Sequence, residues 1–149
     1  MNEYSVIKAE VQHLKQLNGF VKNMCESADI VFPNLEPTKA NRFINKMIED
    51  GCVFCLVHNK KVVGSVAGGI IKWWFADKEY LSEMGFWIDK EHRNIETATM
   101  LLNAFKDVAD KKMIPCLLNT LDGKDIKKRD DFFKDNGFRK IGFKYGYGL

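Results

Sequence analysis

Three stretches of the chain carry apolar residues at spacings of three and four, which places them on one face of a helix, and Gly137 marks the end of a fourth helical stretch. In the first stretch that face is formed by Val11, Leu14, Leu17, Val21 and Met24. Pro37 stands in the first turn of the second stretch, and Gly51 ends it. We therefore predict helices from residue 11, over about 37–51, from about residue 94 and over 125–136.

Runs of β-branched and other apolar residues between these stretches predict strands. The strands are expected over residues 4–9, 52–57, 62–71, 80–89, 115–121 and 138–143. Asn59 lies between the second and third runs and suits the tight turn of a hairpin. Gly64, Gly68 and Gly69 weaken the third run, so they indicate a bulge or a close approach of another backbone.

The order of these elements predicts the fold class. One strand and two helices are followed by three strands, and then helix, strand, helix and strand alternate to the end. An antiparallel half thus passes into a strand–helix–strand crossover. We expect an α/β fold of the α+β kind, with a mixed, mostly antiparallel central sheet of six or seven strands and helices on both faces.

Composition narrows the function classes. The chain has 149 residues, 46% of them hydrophobic and 29% charged, as in one folded domain. Its net charge of +3 is spread along the chain, so a nucleic-acid partner is not expected. The longest uncharged apolar run, 62–71, is about half of what spans a bilayer, and the N-terminus lacks the pattern of a signal peptide. We therefore expect no membrane partner and a cytoplasmic location.

The four cysteines include one C-x-x-C pair, Cys52 and Cys55, which is also found in zinc and redox sites. Both lie in a strand-like run, where an odd spacing sends the two thiols to opposite faces of the sheet. No second pair completes a tetrahedral site. We expect buried, reduced thiols and no metal.

Residues 85–98 are the best candidate for a ligand site. In mixed sheets ligands bind at the carboxyl ends of strands, where neighbouring strands part. Here the strand over 80–89 passes through a short turn into the helix that starts near Asn94. The N-terminus of a helix presents free N–H groups and a positive dipole end, so this turn is expected to bind a phosphate group.

A motif in this region resembles the GNAT superfamily of acetyl-coenzyme-A-dependent N-acetyltransferases. The family pattern is apolar-x-Val-x-Pro-x-x-(Arg/Gln)-x-x-Gly-x-(Gly/Ala), and the corresponding positions here are Phe86, Ile88, Lys90, Arg93, Glu96 and Ala98. The hairpin at residues 61–64 and the stretch 132–138 are similar to two further family signatures. The resemblance implies one acyl-CoA N-acyltransferase-like domain over residues 1–149, which transfers acetyl from acetyl-CoA to a small-molecule or peptide amine by direct attack.

The resemblance also implies a set of cofactor-binding residues. Ile88 would contact the pantetheine arm of coenzyme A through its backbone, and the amides from Arg93 to Ala98 would surround the pyrophosphate. The full set is Phe86, Trp87, Ile88, Arg93, Asn94, Ile95, Glu96, Thr97, Ala98 and Phe133.

Two of these positions depart from the family pattern. Glu96 replaces a glycine that lets amides approach the phosphates, and Phe133 replaces a tyrosine that commonly acts as the acid. Asn94 as a cap and Glu96 in the first turn are equally typical of an ordinary helix start. The alternative function is therefore a non-catalytic module that keeps the fold as a binding or structural protein.

Glu83 is the candidate general base, because several family members have a glutamate on this strand upstream of the position of Ile88. Counting from Arg93 puts Ser82 in the usual register, so the assignment requires a bulge in the strand. The alternative is that Glu83 faces solvent. Tyr145 is the candidate acid in place of the missing tyrosine and Tyr147 is the alternative, although a packing role at a strand edge is equally compatible with both. The C-terminal residues leave a possible sheet edge, so both a monomer and a homodimer are open.

Overall fold

Five strands form one sheet in the computed structural model, which describes residues 3–119 and 125–148. The strands are β1 (Tyr4–Lys8), β2 (Val53–His58), β3 (Lys61–Lys72), β4 (Glu79–Ile88) and β5 (Cys116–Leu117), and they lie side by side in that order. The first three pairings are antiparallel, and β4 pairs with β5 in parallel. The expectation of a mixed, mostly antiparallel sheet is confirmed.

The expected count of six or seven strands is wrong for the described residues. Residues 138–143 form no strand, and Ile141 and Phe143 are 69% and 72% exposed. A further strand needs a partner for its backbone groups, and β5 pairs through only two residues and so offers almost no ladder to extend. Residues 120 and 121 of the expected 115–121 strand lie outside the described residues.

The four helices start and end close to the expected residues. They are α1 (Leu14–Ser27), α2 (Pro37–Glu49), α3 (Ile95–Lys112) and α4 (Ile126–Asp135). Residues Val11–His13 form a 3-10 turn before α1. Pro37 begins α2, and Gly51 follows it with φ of +72°, a left-handed conformation that glycine adopts without strain.

The hairpin between β2 and β3 turns through two residues. Asn59 and Lys60 have φ of 48° and 64°. Positive φ at both central residues is the mark of a type I′ turn, whose twist matches that of the flanking strands. The predicted hairpin and the position of Asn59 in its turn are therefore confirmed.

Apolar residues pack on both faces of the sheet. On one face Leu56, Leu81 and Phe105 belong to a core completed by α3, and on the other Val53 and Cys55 pack with α1 and α2. Helices thus cover both faces, as expected. The two thiols follow the same alternation, because Cys52 lies in the α3 core and Cys55 in the opposite one. The expected division of the C-x-x-C pair between the faces is confirmed.

Candidate active site

An extra residue interrupts the pairing of β4 with β3. Ala67 pairs with Gly85, whereas Gly68 pairs with Glu83, so Met84 has no counterpart on β3. This is a β-bulge, which bends a strand and redirects its side chains. The candidate base at Glu83 requires such a bulge, and the structure contains it at this position.

Gly68 lies opposite the bulge, at a position where a larger residue would not fit. A Cβ atom at Gly68 would lie 2.3 Å from the carbonyl oxygen of Ser82 and 2.5 Å from Cζ of Phe105. Both distances are far below van der Waals contact, and the first involves backbone that cannot rotate away. The close backbone approach expected from this glycine is confirmed.

Glu83 is buried beside the end of β5. Glu83 is only 6% exposed, so the alternative that its side chain faces solvent is wrong. The backbone N–H of Asn119 donates to Oε2 of Glu83 at 3.1 Å. The side-chain amide of Asn119 also donates to the carbonyl oxygen of Glu83 at 2.6 Å and to Oγ of Ser82 at 3.3 Å.

Asn119 was missed as a site residue. It lies at the end of an otherwise apolar run from Ile114 to Leu118, and a polar side chain at the carboxyl end of a strand was the available signal. The sequence stretch was instead interpreted as one continuous strand over 115–121. In the structure Asn119 links β4 to the segment after β5.

Burial changes the acidity of Glu83. Loss of solvation raises the pKa of its carboxyl group from 4.5 to about 7, against the opposing effects of the Asn119 hydrogen bond and the positive charge of Arg129. Burial disfavours the charged form, and a hydrogen bond to the carboxylate favours it. A group with a pKa near 7 can both accept and release a proton at neutral pH, as a general base must.

Among the described residues, β4 has no strand partner beyond Ser82 on the side of β5, and this unpaired edge is the gap between the two strands. The two strands pair only at Leu81 with Cys116 and at Ser82 with Leu117. The N–H of Asp89 donates to the carbonyl oxygen of Val63 on β3. Because alternate residues present their backbone groups to the same side, those of Phe86 and Ile88 face the gap.

Three of the expected cofactor-binding residues meet at the end of β4. Arg93 donates from Nε to the carbonyl oxygen of Ile88 at 2.6 Å, and its guanidinium lies 4.5 Å from the ring centroid of Trp87. Nε1 of Trp87 donates to Oδ1 of Asp89 at 2.9 Å. The Arg93 side chain therefore covers the open edge of β4 at Ile88, while Phe86 packs against the α3 core.

The start of α3 is held by a reciprocal cap. Oδ1 of Asn94 accepts from the N–H of Thr97 at 2.9 Å, and Oγ1 of Thr97 accepts from the N–H of Asn94 at 3.2 Å. The N–H of Ala98 donates to the carbonyl oxygen of Asn94. The amides of Ile95 and Glu96 precede the first hydrogen bond of the helix and point out of its N-terminus. Of the expected phosphate-binding amides, these two are the best placed for a ligand.

The acetyltransferase (GNAT) family model matches residues 21–138, which include the β4 bulge, the gap and the start of α3. The chain belongs to the GNAT acetyltransferase family.

Solved acetyltransferase structures share this GNAT fold along nearly the whole chain. A predicted acetyltransferase from Clostridium acetobutylicum with acetyl-CoA has a TM-score of 0.75 at 16% identity, covering 100% of this chain and 97% of that one. The aminoglycoside N-acetyltransferase AAC(6′)-Iy in complex with CoA has a TM-score of 0.74 at 12% identity, with 100% and 96% covered. Arabidopsis thaliana Naa50 with the bisubstrate analogue CoA-Ac-MVNAL has a TM-score of 0.70 at 18% identity, with 93% and 85% covered. No curated protein is significantly similar in sequence.

The two positions that depart from the GNAT pattern lie in different surroundings. Glu96 is exposed in the first turn of α3. Phe133 is half-buried on α4, where its ring centroid lies 5.7 Å from that of Phe132 and 6.3 Å from that of Phe138. Phe133 therefore contributes packing between α4 and the segment that follows.

Tyr145, the candidate acid, is 92% exposed, and its ring centroid lies 6.5 Å from that of Phe143. Its described contacts do not join it to Glu83, so its role stays a prediction. Among the described helices, none is both long and apolar enough to cross a membrane.

Proposed function

We propose that this GNAT protein is an N-acetyltransferase that moves the acetyl group of acetyl-CoA to an amine, with Glu83 as general base. The single observation that carries the proposal is Glu83 itself. It is buried at the bulge, beside the gap between β4 and β5, and its pKa is about 7. A buried carboxyl group with a neutral pKa in a cleft is a typical feature of catalytic sites.

The residues around the gap fit coenzyme A. The backbone groups of Phe86 and the N–H of Ile88 face an edge where no described strand pairs with them, so they can bond to the amides of a pantetheine arm, whereas the carbonyl oxygen of Ile88 accepts from Arg93. The amides of Ile95 and Glu96 and the positive charges of Lys90 and Arg93 suit a pyrophosphate. Acetyl-CoA supplies an acetyl thioester, and the nitrogen of the amine would attack its carbonyl carbon.

The chain's own residues would complete the transfer as follows. The amine nitrogen forms a bond to the acetyl carbon, the carbon–sulfur bond breaks, and Glu83 takes the proton that the amine loses. Solvent would protonate the departing thiolate, because Phe133 replaces the tyrosine that commonly acts as the acid in the family. Asn119 would hold the Glu83 carboxylate in place through its N–H.

Calorimetric titration with acetyl-CoA tests the proposal first. We expect saturable binding, and its absence at millimolar cofactor would favour the non-catalytic module, for which the Glu96 carboxylate in the phosphate-binding turn is the argument. Thiol release should then be measured with a panel of amines. Glu83→Gln should lower the rate about 100-fold or more, the usual contribution of a general base, at unchanged cofactor affinity.

Glu79→Gln is the matched control, because Glu79 is exposed at the start of the same strand. We expect it to keep the wild-type rate. Equal rates for the two glutamine variants would show that Glu83 is not the base.

A further inference from the structure

A cavity of about 170 Å³ lies between the helix pair α1 and α2 and the sheet, beside the β4 bulge. Its walls are mostly apolar side chains from both helices and from β4, and β3 adds Ser65 and Ala67. Those that carry the argument are Leu17, Phe20, Met24, Phe43, Met47 and Met84. No charged side chain occurs among its described lining residues.

Two of the residues that line the cavity follow the proposed base directly in the chain. Met84 and Gly85 belong to its lining and directly follow Glu83 in the bulge. A Cβ atom at Gly85 would lie 3.0 Å from Cε of Met24, so the absence of a side chain there lets β4 and α1 approach this closely. The bulge therefore contributes to both the base position and the cavity.

The cavity is accessible from solvent. Phe43 and Met84, both part of its lining, are 55% and 42% exposed. Large apolar side chains that remain this exposed beside a concave apolar surface are typical of ligand sites.

We propose that this cavity binds the apolar part of the acceptor, so that the substrate is an amine carried on a compact apolar group such as a phenyl ring or a branched alkyl chain. The inference rests on the proposed function and names its substrate class. An apolar cavity of about 150 Å³ is large enough to bind benzene, so 170 Å³ accommodates one such group.

The chemistry of the lining disfavours more polar acceptors. A polyamine or an amino sugar brings several charges or hydroxyl groups, and Ser65 is the one polar side chain among the described lining residues, so most of these groups would be buried without partners, which is unfavourable. Three of the lining side chains are methionines, whose flexible thioethers adapt to apolar ligands of different shape.

Methyl NMR with ¹³C-labelled methionine tests the inference directly. Met24, Met47 and Met84 line the cavity, whereas Met100 and Met113 lie outside its described lining and report non-specific effects. Phenylethylamine should be titrated with and without coenzyme A, and 1,4-diaminobutane serves as the polar comparison. We expect saturable shifts of the three cavity methyls with phenylethylamine only. No shift with phenylethylamine, or equal shifts with both amines, would overturn the inference.

A variant with a carboxylate at the rim of the cavity tests whether the apolar lining binds the ligand. Phe43→Glu should weaken phenylethylamine binding about tenfold or more, within the range by which apolar pockets discriminate, and should favour the diamine. Val11→Glu is the control, because Val11 is 61% exposed and lies outside the cavity. Equal binding of phenylethylamine to the two variants would overturn the inference.

Measurements of amine binding and of acetyl transfer distinguish the apolar acceptor from the proposed transferase function. Saturable methyl shifts without acetylation of any amine would support the cavity's ligand class and count against the proposed transferase function. Acetylation of diaminobutane in preference to phenylethylamine would confirm the transferase and overturn the apolar acceptor.

Discussion

The buried carboxyl group of Glu83 should make the stability of the protein depend on pH. Its pKa lies at about 7 in the folded chain, against 4.5 for an exposed glutamate, because burial disfavours the charge. Between these two values the folded state binds more protons than the unfolded state. The stabilisation is therefore complete below about pH 4.5 and is lost as the pH rises through about 7.

The magnitude follows from the difference between the two pKa values. A pKa difference of one corresponds to about 1.4 kcal/mol, so the free energy of unfolding should fall by roughly 3 kcal/mol in all. About 2 to 3 kcal/mol of this loss falls between pH 5 and pH 8. That is a large share of the roughly 5 to 15 kcal/mol by which a typical domain is stable.

Urea unfolding at a series of pH values from 5 to 8 measures the effect. Glu83→Gln keeps the shape of the side chain and removes the titrating group. The free energy of unfolding of the variant, relative to that of wild type, should therefore rise by about 2 to 3 kcal/mol from pH 5 to pH 8. All other ionisable groups are the same in the two proteins, so the comparison isolates the contribution of Glu83. Glu79→Gln, at an exposed position of β4, should show no such trend.

A flat difference between wild type and Glu83→Gln from pH 5 to pH 8 would refute the reasoning. It would mean that the carboxyl group titrates at its ordinary pKa, and that solvent reaches it despite its burial. The same result would remove the acidity argument for Glu83 as a base working near pH 7.

Three further predictions concern the β4 bulge, Asn119 and the start of α3. Gly68→Ala should lower the free energy of unfolding by roughly 2 to 4 kcal/mol through overlap with Ser82, whereas Gly69→Ala, with no atom within 4 Å of the new Cβ, should change it little; equal melting temperatures would contradict this. Asn119→Ala removes the two side-chain hydrogen bonds to β4 and should lower unfolding stability in urea by about 1 to 2 kcal/mol; no loss would show that these bonds contribute nothing. Glu96→Gly should tighten acetyl-CoA binding in calorimetry if its charge opposes the pyrophosphate, and an unchanged affinity would show that the side chain points elsewhere.

The elements with strong local signals could be predicted from the sequence. Pro37 and Gly51 bound α2, Asn94 caps α3, and Asn59 turns the β2–β3 hairpin, since each of these residues determines its own backbone conformation or terminal hydrogen bonds. The GNAT motif also located the end of β4 and the start of α3. These features depend on residues that are near one another in the chain.

The features that depend on distant partners were harder to predict. The expected strand over 138–143 carries Phe138, Ile141 and Phe143, but β5 offers it almost no edge, which no local pattern reveals. The hydrogen bonds of Asn119 join it to Glu83, 36 residues away along the chain. The direction of the Glu83 side chain was likewise undecided, because it depends on whether β4 has a bulge.

One extra residue in β4 accounts for the positions of both Glu83 and the cavity-lining residues of this strand. Leu81 and Phe86 both contribute to the α3 side of the sheet, although strict alternation would place residues five apart on opposite faces. The unpaired Met84 removes this conflict. It lets Glu83 turn towards β5 and Asn119 while Met84 and Gly85 line the cavity under α1 and α2. A variant that deletes Met84 should therefore disturb the base and the apolar cavity together, whereas Phe43→Glu should disturb the cavity alone.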